Sequence, residues 1–99
     1  MNVLLYVSDE ESDSFKAEVA DIPSAQLIQS NFSDGSMHDY IVYGLQLTTA
    51  TINIVYTILS TRAKSSKTHL KTRKETINKE TVTNDKLTTI LHDDKQNDV

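Results

Sequence analysis

Cysteine is absent from the chain, which excludes a disulfide framework and any zinc site that needs thiolates. The absence also fits a reducing, cytoplasmic setting. Glycine occurs only as Gly35 and Gly44. There is accordingly no Gly-rich turn to cradle a phosphate, neither a P-loop nor a dinucleotide turn. Ser36 beside Gly35 is not a nucleophile elbow either, because Gly-x-Ser-x-Gly is missing. Charge is missing from the 22 residues Tyr40 to Thr61, and this stretch dominates the chain. A secretory leader is not read at the N-terminus. The apolar run Asn2–Ser8 is too short, no basic residue precedes it, and Asp9, Glu10 and Glu11 follow it. Without a leader, the glycosylation sequon Asn31-Phe32-Ser33 has little meaning.

What is present bounds the class. At 99 residues the chain is one domain, able to bury roughly 60–65% of its unfolded surface in a single modest core. Only 37% of residues are apolar, below the globular average, so part of the chain is expected as tail or loop. Up to Asp39 there are eight acidic residues against Lys16 alone, whereas from Arg62 onward nine basic residues face six acidic ones. The simplest reading of this polarity is that the two halves neutralise one another.

Asn2–Ser8, partly β-branched and aromatic, reads as a strand. Phe15–Ile22 fits either a strand or a helical turn with Phe15, Val19 and Ile22 on one face, and Pro23 closes it. Ser24–Ser30 is a short element of open type, and Asn31–Ser36 a turn marked by Asp34-Gly35. Ser36 to Asp39 has the form of a capping box, which would start one helix from Met37 to about Lys64. Alternation of Ile41, Tyr43, Leu45 and Leu47 favours instead a strand to about Tyr43, a break at Gly44, and then a helix. From Gln46 a polar stripe (Gln46, Thr49, Asn53, Thr57, Ser60, Lys64) leaves Ile52, Ile54, Val55, Ile58 and Leu59 among a wide apolar face, which predicts a long buried helix. Its Thr, Ile and Val lower helix propensity, so packing has to supply the difference. Basic residues end it as the macrodipole favours. A C-terminal hairpin turning at Asn84-Asp85 is expected, joining Glu80–Thr83 to Lys86–Leu91.

The uncharged stretch is also long enough to cross a bilayer as a single-pass anchor, and the basic residues after it would place its C-terminal side in the cytoplasm. Against that, Gln46, Asn53, Ser60 and the threonines would enter lipid at a cost.

No catalytic constellation emerges, so the chain is not read as an enzyme, and no cofactor or metal is expected. His38, His69 and His92 share no metal-pair spacing. Asp9, Glu10, Glu11 and Asp13 lack the ligand pattern of a calcium loop, which leaves an acidic patch for a basic partner. The basic run Arg62, Lys64, Lys67, Lys71, Arg73 and Lys74 would contact phosphates if nucleic acid were bound. It has no interleaved aromatics for stacking, and the pI near 5.2 opposes that role. Tyr40, Tyr43 and Tyr56 are core-type residues that also suit interfaces.

The expectation is an α+β domain over residues 1–91 with a polar tail over 92–99. One long central helix would pack on a small, mostly antiparallel sheet made of the N-terminal strand and a C-terminal hairpin. The layout is common among small bacterial and phage domains, and no motif selects a family. The expected function is a non-enzymatic protein–protein interaction module, an accessory, regulatory or inhibitor subunit. It would use the apolar helix, Tyr40, Tyr43, Tyr56 and the acidic Asp9, Glu10 and Glu11 to bind another protein or its own copy as a homodimer. The alternatives are the membrane anchor at 40–61 and a nucleic-acid-associated protein using 62–74.

Overall fold

A computed structural model describes residues 2–33 and 39–97. Strand β1 (Asn2–Ser8) buries Val3, Leu5 and Val7 and half-buries Leu4 and Tyr6 between them. A strand apolar on both faces belongs inside a sheet. β1 is indeed interior, antiparallel to β3 (Asp39–Gln46) on one side and to β4 (His69–Lys71) on the other. Outside these lie β2 (Gln26–Ser33) and β5 (Thr76–Asn78), giving a five-stranded antiparallel sheet of order β2-β3-β1-β4-β5.

Two crossovers interlock in this sheet. β1 reaches the parallel β2 through helix α1 (Ser12–Ala20), with β3 between them. β3 reaches the parallel β4 through α2 (Ile52–Thr57), with β1 between them. The first six elements therefore form the split β-α-β arrangement of ferredoxin-like folds. They are extended by the β4–β5 hairpin and by helix α3 (Asn84–Asn97).

All three helices cover the same face. Phe15 and Val19 from α1, Ile52 and Val55 from α2, and Leu87 and Leu91 from α3 join one core with Val3, Leu5, Val7, Leu45, Leu70 and Ile77. The α1 reading of Phe15–Ile22 is thus the helical one. Its side chains at i, i+4 and i+7 point inward.

The single long central helix is not present. Strand β3 runs through Gly44 to Gln46, and Leu47 is buried beyond it. Helix begins only at Ile52, after a turn in which the Thr51 hydroxyl accepts the Thr48 N–H (2.8 Å). The alternation of Ile41, Tyr43 and Leu45 was the dominant signal, because β-branched and aromatic residues favour a pleated surface over a helix. α2 then widens into a π turn over Ile58–Arg62, where the Ala63 N–H reaches back to the Ile58 carbonyl (2.9 Å). Thr57 and Ser60 donate to the Asn53 and Tyr56 carbonyls four residues back (2.9 and 2.7 Å), bonds that bend helices. Tyr40–Thr61 is therefore strand plus helix, and among the described residues no helix is long and apolar enough to cross a membrane.

The expected C-terminal hairpin is also displaced. The hairpin is β4–β5, closed where the Thr72 N–H donates to the Glu75 carbonyl (2.9 Å), with Arg73-Lys74 at its tip. Asn84-Asp85 instead opens α3, because the Thr83 hydroxyl accepts the Lys86 N–H (2.9 Å) and so satisfies an orphan donor of the first turn. The open-type segment after Ser24 is β2, which takes in Asn31–Ser33 from the expected turn, while the capping residue Ser36 lies outside the described residues.

The second crossover is fastened by a buried carboxylate. Glu11, 7% exposed, ends a 3-10 turn after β1. Its Oε1 accepts the Lys64 N–H (2.7 Å) and its Oε2 accepts the Thr68 hydroxyl (2.6 Å). The Thr68 Oγ1 in turn accepts the Ser8 N–H (3.1 Å). From the other side, Lys79 Nζ donates to the Ser60 and Ala63 carbonyls (3.2 and 2.9 Å), a cation at a helix C-terminus. Glu11→Ala leaves a part-buried amide and a buried hydroxyl without their acceptor and is expected to lower unfolding free energy by about 2–4 kcal/mol. The exposed Glu10→Ala should cost under about 0.5 kcal/mol. Urea unfolding of the two variants measures the contrast, and equal losses would refute the buried network as the fastening.

Candidate functional site

Because the helices share one face, the opposite face of the sheet carries no helix among the described residues. Strand register places its side chains in rows. Gln26, Gly44, Leu4, Lys71 and Thr76 form one row, and Gln29, Val42, Tyr6, His69 and Asn78 the next. Cross-strand neighbours of this kind are the units that stabilise a sheet.

The second row is held by aromatic packing. Tyr6 stacks on His69 with ring centroids 4.8 Å apart and planes 8° from parallel. Tyr40 meets both edge-on, at 6.0 Å from Tyr6 and 5.6 Å from His69. The His69 Nδ1 lies 2.8 Å from the Lys67 carbonyl. A carbonyl only accepts, so Nδ1 carries the proton. Tyr40 and Val42 are buried here without joining the main core.

At the other end of the face is an open groove of 480 Å³ with Gly44 in its floor. Leu4 and Ile28 contribute apolar wall, and Asn2, Gln26 and Gln46 contribute exposed amides. Ile28 lies across Gly44, with its δ1 carbon 3.1 Å from where a Cβ would stand. This crowding follows from an irregular β2: the pairing shifts between Leu27 and Gln29 and again between Gln29 and Phe32, each time with one extra residue on β2. Leu27, opposite Tyr43, belongs to the helix side of the sheet. Leu27 and Ile28 are 60% and 58% exposed, the large apolar side chains that stay open among those whose side chains are described.

The residues singled out from the sequence do not converge on one surface. Tyr40 is buried on the helix-free face, while Tyr43 and Tyr56 are half-buried against the core on the other side. Asp9 and Glu10 are exposed, but Glu11 is consumed by the fold. Arg62 pairs with Glu18 (2.9 Å) and Lys67 with Glu10 (3.4 Å), so acidic front and basic back do meet. Lys64 is exposed, Lys71 lies on the helix-free face, and Arg73 and Lys74 are exposed at the hairpin tip. His92 is exposed on α3, and His38 lies outside the described residues. The pair Leu27-Ile28 was the overlooked signal. Consecutive strand residues point to opposite faces, so in an outer strand at least one must meet solvent.

Compared with family models, with characterised proteins and with solved structures, the chain matches none. The surface has to be read from its own geometry.

Gly44 offers a test of that geometry. Its φ lies outside the left-handed region, and the crowding atom belongs to an exposed side chain that can move. Gly44→Ala is therefore expected to stabilise the fold by about 0.4–1 kcal/mol through the unfolded state, read as a raised denaturant midpoint. A lowered midpoint would mean that Ile28 is pinned where it lies.

Proposed function

We propose that this chain is a non-enzymatic protein-binding module that docks its partner along the sheet edge at β2, where Ile28 beside the groove and Leu27 on the helix side are both exposed. The observation that carries the reading is the adjacent pair Leu27 and Ile28 at 60% and 58% exposure, the large apolar side chains that stay open among those whose side chains are described. Apolar anchors ringed by polar groups are how protein interfaces concentrate their binding energy. The pair replaces the apolar helix as the binding element, because Ile52, Val55, Ile58 and Leu59 are spent on the domain's own core. The groove is lined by amides, a serine and aliphatic groups, with no acid or base to move a proton, which supports a binding role over catalysis. Exposed Asp9, Glu10 and Asp13 follow the opposite end of β1 from the groove, and Glu10 and Asp13 pair with Lys67 and Lys16 (3.4 and 3.1 Å), so the acidic cluster is not part of this proposed surface. A cytoplasmic regulatory or accessory role accords with this reading.

A nucleic-acid role has one observation in its favour, since split β-α-β sheets with aromatics on the central strands can stack bases. Here Tyr6, Tyr40 and His69 pack on one another, and Arg62 and Lys67 face carboxylates. The protein-binding reading is therefore preferred.

Tagged parent protein and the variants Leu27→Lys and Ile28→Lys, used as bait in a cell lysate, test it. A specific partner retained by the parent should fall at least ~10-fold on either variant, as expected when a central anchor is lost. Equal retention by all three baits would move the binding surface elsewhere.

A further inference from the structure

We infer that the partner is an acidic peptide segment, which seats an aliphatic side chain in the groove beside Ile28 and sets carboxylates on Lys71, Arg73 and Lys74. The inference rests on the protein-binding reading of the groove. It starts from where positive charge is left unspent. Lys16, Arg62, Lys67 and Lys86 each face a carboxylate, and the Lys79 ammonium is held by two carbonyls. Among the residues whose side chains are described, Lys64, Lys71, Arg73 and Lys74 are the exposed cations without such a partner. Three of these are gathered at the β4–β5 hairpin, whose own acid, Glu75, is turned to Lys86 of α3 (3.4 Å).

Strand register sets this cluster beside the groove. Leu4, in the groove wall, pairs with Lys71. Leu70 is buried in the core, so Lys71 stands on the helix-free face with Leu4 and Gly44. The row from Gln26 to Thr76 crosses the sheet in about 19 Å, which an extended peptide of about six residues spans. Arg73 and Lys74 follow at the tip, where the Thr72 hydroxyl accepts the Lys74 and Glu75 N–H groups (3.3 and 3.1 Å). A turn held in this way loses little freedom on binding. The net charge of -4 does not oppose an acidic ligand here, because charges beyond about 8 Å are largely screened at physiological ionic strength. Asp39 is the acid found on the strands, and it starts β3 about 17 Å along the strand from Gly44. Asp9 and Glu10 follow the same far end of the sheet, after Ser8. Carboxylates are favoured over a nucleic-acid backbone, since no ring stands in this row to stack a base. The amides of Gln26 and Gln46 suit a peptide backbone, which both donates and accepts.

The labelled full chain on a synthetic array of peptides about eight residues long, enough to cross the row, tests this. Each peptide carries one leucine or isoleucine, with Glu, Gln or Lys in varied order at the other positions. Glu-rich peptides should retain the parent above their Gln and Lys counterparts, and retention should fall as salt rises. Lys71→Glu and Arg73→Glu should each weaken retention at least ~5-fold, an exposed pair being replaced by a repulsion. Lys64→Glu makes the same change in net charge beside Glu11, at the far end of β1, and should leave retention unaltered. All three variants should keep the parent's melting temperature. No preference for Glu-rich peptides, or equal losses for Lys64→Glu and Lys71→Glu, overturns the inference. An oligothymidylate that binds the parent more tightly than the best acidic peptide also overturns it, and would assign these cations to nucleic acid. The lysate experiment separates the two readings. A partner lost on Ile28→Lys but kept on Lys71→Glu would sink the acidic partner alone, and one kept on Ile28→Lys would sink the protein-binding surface with it.

Discussion

The fold depends on β1 being apolar on both faces. Val3, Leu5 and Val7 point to one side while Leu4 and Tyr6 point to the other, so a single layer of helices cannot cover the strand. The chain covers the first side generously, with three helices and one core. On the second side, among the described residues, side chains do the covering: Tyr40 and Val42 from β3 and His69 from β4 lie around Tyr6. Edge-to-face and stacked ring pairs of this sort contribute about 0.5–1.5 kcal/mol each beyond their area.

Placing β1 in the middle goes with two crossovers, one from β1 past the place of β3 and one from β3 past β1, and long crossings have to be fastened at their ends. Glu11 does this for the second crossing. A carboxylate with one buried oxygen unpaired would destabilise the domain. Here each oxygen has a donor, one from the Lys64 backbone and one from Thr68. The donors come from a segment more than fifty residues away in sequence, so the network forms only when the π turn and the start of β4 are in place. Lys79 fastens the same joint from the β5 side. Polar groups with few alternative partners thus specify where the helical segment ends, a task that its Thr- and Ile-rich sequence performs poorly.

Local pattern made some of this legible. The strand at Asn2–Ser8, the inward set Phe15, Val19 and Ile22, and the strand-side alternation from Ile41 to Leu47 are periodic signals, and they survive in the structure. The length of the central helix was misread because the polar residues at Gln46 and Thr49 extend the helical stripe into what is strand and turn. α3 was misread because its first turn, Asn84-Asp85, carries residues that suit a tight turn equally well, and only the Thr83 cap distinguishes them. Glu11 looked like one member of a solvated acidic cluster. Nothing in its immediate neighbours announces partners at Lys64 and Thr68. The surface residues Leu27 and Ile28 fell in a segment of undecided type, where two adjacent apolar residues carry no periodicity at all.

The same economy bears on the proposed binding surface. A sheet of this order has two edges, and the chain treats them differently. β5 is three residues long, with Lys74 and Lys79 close on either side of it in sequence, features that discourage another chain from pairing there. β2 is eight residues long and uncharged, and it is interrupted by irregular pairing instead. Irregularity blocks strand addition while leaving side chains free to make contact, whereas lysines would block both. A domain that only needed protection from aggregation would gain more from a charge at position 27 or 28 than from two exposed aliphatic groups. Their presence at the bulged edge, beside the groove that Gly44 lines, is the physical reason for proposing a binding surface there.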